Sequence, residues 1–224
     1  MKGRSIRCNV FAYCFLVCVF AGLSCASENK TAETVSPTSV ATGPSDEQIM
    51  EIGIQKLEGW VSYWEAKGAD IQGFKLEKEH VYEPLEWPGE NVSVGDSPLK
   101  NYQIPHPIAE GVVDIYSYKL VFDKENQELS INPDSEVVYY RKDGMRERLL
   151  FIGPSGIFED AVWVTEEHLL VSGHIQKERG FVPVVWLINP KQHKYTVFEN
   201  QFSTQDYTPE SYLKVKLEEL GADF

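Results

Sequence analysis

Within the run Phe181 to Ile188, FVPVVWLI, the residues Val184, Trp186 and Ile188 alternate with Val185 and Leu187. Successive side chains of an extended chain point to opposite faces, so this segment is apolar on both. A strand of that kind belongs at the centre of a sheet, with something packed over each side. The surrounding segments also run at period two. Val113, Ile115, Tyr118, Leu120 and Phe122 read as one strand or a bulged pair of segments. Val137–Arg141 and Arg148–Ile152 flank Lys142-Asp143-Gly144, a hairpin signal. Gly153-Pro154-Ser155-Gly156 marks a further turn. Ala161–Val164 pairs with Leu169–His174 across one short connection, and Phe181–Ile188 with Tyr195–Phe198 across another. Parallel strands need crossovers of a dozen or more residues, so the pattern predicts an antiparallel meander of about seven strands.

Helix signals stand at both ends of this sheet. Ser45 and Gln48 form a capping box, with Asp46 and Glu47 in the first turn. Met50, Ile54, Leu57, Val61 and Trp64 then recur on one helical face, and Gly68 ends the pattern. On that face Trp64 is expected in the core, with Trp60 at its edge. Gly53 and Gly59 weaken the helix by about 1 kcal/mol each relative to Ala, so packing must hold it. At the far end Thr208, Pro209 and Glu210 open a second helix, Leu213, Leu217 and Leu220 line it, and Gly221 stops it. The expectation is a single α+β domain over residues 45–224, an antiparallel meander with an N-terminal and a C-terminal helix packed on it.

The first 44 residues read differently. Lys2, Arg4 and Arg7 precede the uncharged apolar stretch Val10–Leu23. That stretch is shorter than the ~20 residues a helix needs to cross a bilayer and has the form of a secretory signal. All four cysteines, Cys8, Cys14, Cys18 and Cys25, lie here. An exported product therefore has no intramolecular disulfide. The stretch Ala21-Gly22-Leu23-Ser24-Cys25-Ala26-Ser27 resembles the lipobox of bacterial lipoprotein signal peptides. The family favours Leu three residues before its cysteine, where this chain has Gly22 with Leu23 next. The resemblance implies a signal peptide over 1–24, cleavage after Ser24 and a lipid on Cys25. An ordinary signal peptidase could instead cut after Ala26, giving a secreted soluble protein. Residues 26–44, rich in Ser, Thr, Ala, Glu and Pro, make a linker with a mean reach of about 25 Å.

The net charge of −13 weighs against nucleic acid as a partner, and losing Lys2, Arg4 and Arg7 with the signal takes it to −16. So acidic a domain is repelled by anionic headgroups. The membrane would be reached through the lipid anchor alone. No zinc spacing, GxSxG, phosphate loop or dinucleotide fingerprint is present, so no catalytic residue, metal or cofactor is assigned. Glu77, His80 and Glu83 lie three apart, but in an extended segment they splay. Pairs such as Glu159 with Asp160 are expected on opposite faces of a strand. The proline-broken crossing over residues 69–111 is where a long loop would carry a site, which singles out Glu77, His80, Trp87 and His106 as candidate ligand-binding residues. The expected function is a cell-envelope lipoprotein that binds or scaffolds without catalysis, its partner an envelope protein or glycan. The alternative is a secreted hydrolase or accessory enzyme acting on envelope glycans or peptides, its site built from Glu77, His80 or His106 together with Trp87.

Overall fold

The computed structural model describes residues 43–89, 98–123, 128–208 and 211–218. The signal-like segment, Cys25 and nearly all of the linker lie outside the described residues. Among those described, twelve strands form two five-stranded antiparallel sheets and one separate hairpin. The first sheet is a meander of β9 (Gly156–Trp163), β10 (Leu169–Lys177), β11 (Gly180–Asn189) and β12 (Lys194–Asn200). It is extended on its β12 side by β1 (Phe74–Val81). The second runs in the order β2 (Leu85–Pro88), β8 (Met145–Ile152), β7 (Ser135–Arg141), β4 (Gly111–Asp114), β3 (Ile104–Pro105). β5 (Leu120–Asp123) and β6 (Glu128–Ile131) pair only with each other.

The fold is thus mostly antiparallel β with few helices, and its strands outnumber the seven expected. The difference has one main cause. The turn at 153–156 carries the chain from one sheet to the other, so the run expected as a single meander is divided. The crossing over 69–111 also contributes β1, β2 and β3 as edge strands, in spite of its prolines.

β11 is buried along its whole length, and the two-faced reading of this strand holds. Val182, Val184, Trp186 and Ile188 enter a core shared with Val113, Val137, Tyr139 and Leu149 of the second sheet. Val185 and Leu187 enter a second core beneath the helices. Each such side chain is worth about 1.5–3 kcal/mol on burial, which makes this strand the spine of the domain.

The N-terminal helix is two helices, α1 (Asp46–Gln55) and α2 (Glu58–Ala66), with Leu57 in a non-helical conformation between them. The capping box forms as expected, Ser45 N donating to Gln48 Oε1 at 2.9 Å and Gln48 N to Ser45 Oγ at 3.3 Å. Gly53 explains how α1 is held. A Cβ there would lie 2.6 Å from Val164 and 2.7 Å from Leu170, so its absence lets the helix settle onto β10 and β11. The break re-aims α2, and Trp60 is fully buried beside Trp64, not at the core's edge. α3 (Ser211–Lys216) and the turn that follows it place Leu213 and Leu217 in the inter-sheet core. Pro209, Glu210, Leu220 and Gly221 lie outside the described residues. No helix among the described residues is long and apolar enough to cross a membrane.

A β-bulge corrects the reading of Glu159 and Asp160. Ser172 pairs with Asp160 and Gly173 with Phe158, so Glu159 is an extra residue in β9. Strict alternation is broken there, and both carboxylates are drawn onto helices. Trp60 and Trp64 of α2 donate to Glu159, while Tyr212 and Lys216 of α3 bind Asp160.

Candidate functional site

A cleft of about 290 Å³ is lined by residues of both five-stranded sheets and their connections. Its aromatic wall is Trp163 from the end of β9, Tyr139 from β7 and His106 from the β3–β4 connection. The His106 and Trp163 rings lie 4.4 Å apart between centroids, and Tyr139 is 6.0 Å from each. Lys56 at the end of α1 donates to the carbonyls of Trp163 and Val164 at 3.3 and 2.9 Å, tying that strand end down. Gly111 lets β4 approach: a Cβ there would lie 2.8 Å from the Tyr140 carbonyl and 2.9 Å from the Tyr139 ring.

His106 is held by its backbone and its ring together. Its N–H donates to the Gly111 carbonyl at 3.0 Å. Its Nδ1 accepts from Ile108 N and Ala109 N at 3.2 and 2.9 Å, so the ring proton sits on Nε2. Nε2 has no hydrogen-bond partner among the described residues and is free to donate to a ligand.

Beside Tyr139 in this wall, Glu147 is supplied by the neighbouring strand β8. Its side chain is 3% exposed, yet it lines the cleft. A second bulge aims it. Val137 pairs with Leu150 and Val138 with Arg148, so Leu149 is extra and Glu147 comes onto the inner face beside Tyr139. Tyr82 donates its hydroxyl to Glu147 Oε1 at 3.2 Å, and Arg141 Nη1 stands 3.9 Å from Oε2. Burial is the main cause that pushes the Glu147 carboxyl above its ordinary range, and Glu86 adds to it. The Tyr82 hydrogen bond, His193 and Arg141 hold it back. Burial and the neighbouring Glu147 in turn push the Tyr82 hydroxyl well up.

Two turns complete the rim. The β9–β10 turn brings Glu166 and Glu167, and the 3₁₀ turn Pro190–Gln192 brings Lys191, paired with Glu167 at 3.1 Å. Asn189 caps that turn by accepting from Gln192 N at 3.0 Å. His193 follows it at φ 49°, the only non-glycine residue with positive φ among those described. A side chain held in this region costs about 1 kcal/mol or more where glycine would be relaxed, and such residues cluster at sites of function. Here the side chain lines the cleft.

Of the four residues singled out by sequence, the cleft contains His106. Glu77 is the exposed, unpaired residue of a bulge in β1. His80 packs its ring 5.0 Å from Tyr195, with Nε2 buried and unpartnered. Trp87 lies on the second sheet beneath Arg146, 4.5 Å from its ring centroid. The four do not converge. Among the described residues no group of three or more His, Cys, Asp or Glu could hold a metal ion.

Glu147 was missed because the sequence pattern starts its strand at Arg148. Its one signal is phase, an acid at an inward position two residues before Leu149. Tyr139 and Trp163 belong to the core cluster and line the cleft as well, which nothing in their own segments signals. No family model matches this chain, and comparison with curated proteins and with solved structures finds no match.

Proposed function

We propose that this protein is a lipid-anchored component of a bacterial cell envelope whose domain binds a small polar ligand at the inter-sheet cleft, without turnover. The observation that carries the binding half is the cleft itself, an aromatic wall beside a buried carboxylate inside a rim of charges. Its volume suits a sugar unit or the end of a short peptide, near the lower limit of small-molecule sites. The anchoring half rests on the lipobox-like run ending at Cys25 and on the linker behind it. The acyl chains would hold the domain near the membrane, and its acidity would keep it off anionic headgroups.

Both halves are testable on protein from the native host. The N-terminal peptide of the membrane-bound form is expected to begin at Cys25 and to carry the mass of two acyl chains, with Cys25→Ala releasing the protein from membranes. An unmodified N-terminus at Ser27 in the soluble fraction would sink the anchor. Solubilised envelope glycans and peptides are expected to shift the NMR resonances of Trp163 and His106 saturably. No response of either residue to any fragment would sink the binding site.

A further inference from the structure

The charges around the cleft do not cancel, and the imbalance points to a class of ligand. Arg141 is already committed, to Glu86 at 2.6 Å and Asp143 at 3.3 Å. Lys191 is committed to Glu167. His106 presents a neutral ring, because its Nδ1 is an acceptor. Glu147 is left with one hydrogen bond, from Tyr82, on Oε1. Its Oε2 has no donor among the described residues, and the nearest cation is 3.9 Å away and engaged elsewhere. A carboxylate has about four acceptor positions, and a buried one with most of them empty is costly unless something else fills them. Glu166 on the rim is a second acid without an ion-pair partner among the described residues.

We infer that the cleft seats a primary ammonium group of its ligand against Glu147, with the Tyr139, Trp163 and His106 rings around it. An ammonium supplies both the missing charge and the N–H donors that Oε2 lacks, and aromatic faces within about 6 Å attract a cation. A quaternary ammonium would bring charge without donors and leave Oε2 as it is. An anionic ligand would meet Glu147 and Glu166, with Arg141 and Lys191 already engaged and His193 the one remaining basic group of the lining. This inference rests on the proposed binding site and names the chemistry that the site selects.

The test compares two probes that differ only at nitrogen, 2-aminoethyl β-D-glucoside and its N-acetyl derivative. Both are titrated at pH 7 into the full-length protein in detergent micelles, with the Trp163 indole resonance as readout. The amine is expected to shift Trp163 saturably, and the acetylated form to bind about tenfold more weakly or worse. Glu147→Gln, which keeps an acceptor for Tyr82, is expected to weaken the amine by about the same factor and to leave the acetylated form unchanged. Equal binding of the two probes would overturn the ammonium and leave the cleft as a binding site. Amine binding unaffected by Glu147→Gln, in a variant shown folded by its thermal transition, would also overturn it. No saturable shift with either probe would overturn it too, and the binding reading would then stand or fall on the envelope fragments.

Discussion

Glu159→Ala is expected to cost the domain about 4 kcal/mol, a fall in melting temperature of about 10–15 °C. The Glu159 side chain is wholly buried. Its Oε2 accepts from Trp60 Nε1 at 2.7 Å and Trp64 Nε1 at 3.4 Å. Its Oε1 meets His174 Nδ1 at 2.9 Å and the Tyr207 hydroxyl. A carboxylate only accepts, so His174 Nδ1 carries the proton in this arrangement. Truncation leaves the buried Trp60, Trp64 and His174 donors without this acceptor, at about 1–3 kcal/mol each before relaxation. Relaxation and water entry reduce the sum, but a loss of this size is a large share of the 5–15 kcal/mol typical of a domain. The amide is a sharper probe. Gln offers one acceptor oxygen, so in either orientation two of the four donors face its NH₂, and Glu159→Gln is expected to recover less than half of the loss. Thermal unfolding followed by near-ultraviolet circular dichroism checks both. An alanine variant melting within about 3 °C of the parent would mean that the network does not hold α2 to the sheet.

The second large effect is expected on the strand opposite. Gly173 faces the bulge that Glu159 creates, and a Cβ there would lie 2.0 Å from the Ile157 carbonyl oxygen and 3.2 Å from Phe158 Cα. Both neighbours are backbone in the middle of a sheet and cannot turn aside as a side chain could. Gly173→Ala must therefore pry β10 from β9, and is expected to cost about 3 kcal/mol, a fall of about 10 °C. Opening that ladder moves Glu159 as well, so the losses from Gly173→Ala and Glu159→Ala should add to less than their sum in the double variant. Additive losses would mean that the bulge and the polar network are independent.

These two residues also show where reading the sequence stops. The central strand was legible because Val184 to Ile188 is apolar on both faces, and only a layered fold can bury both. The Asp143-Gly144 hairpin and the Ser45 cap were legible because each is local chemistry between neighbours in the chain. The bulges at Glu159 and Leu149 were not. Each depends on how one strand meets another, and a single extra residue reverses which face every later side chain takes. The helix break at Leu57 follows from tertiary fit, since α2 must turn to bring Trp60 and Trp64 to Glu159. Of the cleft, His106 alone was singled out. The site assembles from residues 82, 106, 139, 147, 163 and 193, far apart in the chain and each unremarkable in its own segment. A loop-centred search favoured Glu77, His80 and Trp87, which β1 and β2 instead place on edge strands.

The proposed site requires that Glu147 serve the cleft and not the fold. Thermal unfolding of Glu147→Gln beside the parent, without ligand and across pH, addresses it most directly. Burial holds the Glu147 carboxyl above its ordinary value of 4.5, so the folded state favours the protonated form. The stability this group contributes is fully present below about pH 4.5 and is lost as pH rises through the raised folded value. The neutral amide never incurs that loss. Variant and parent are expected to melt together near pH 4 and the variant to melt higher at pH 7, the pattern of a residue retained for binding at the expense of stability. A variant that melts below the parent at pH 7 would show Glu147 to be a structural member of the fold and would overturn its assignment to the cleft.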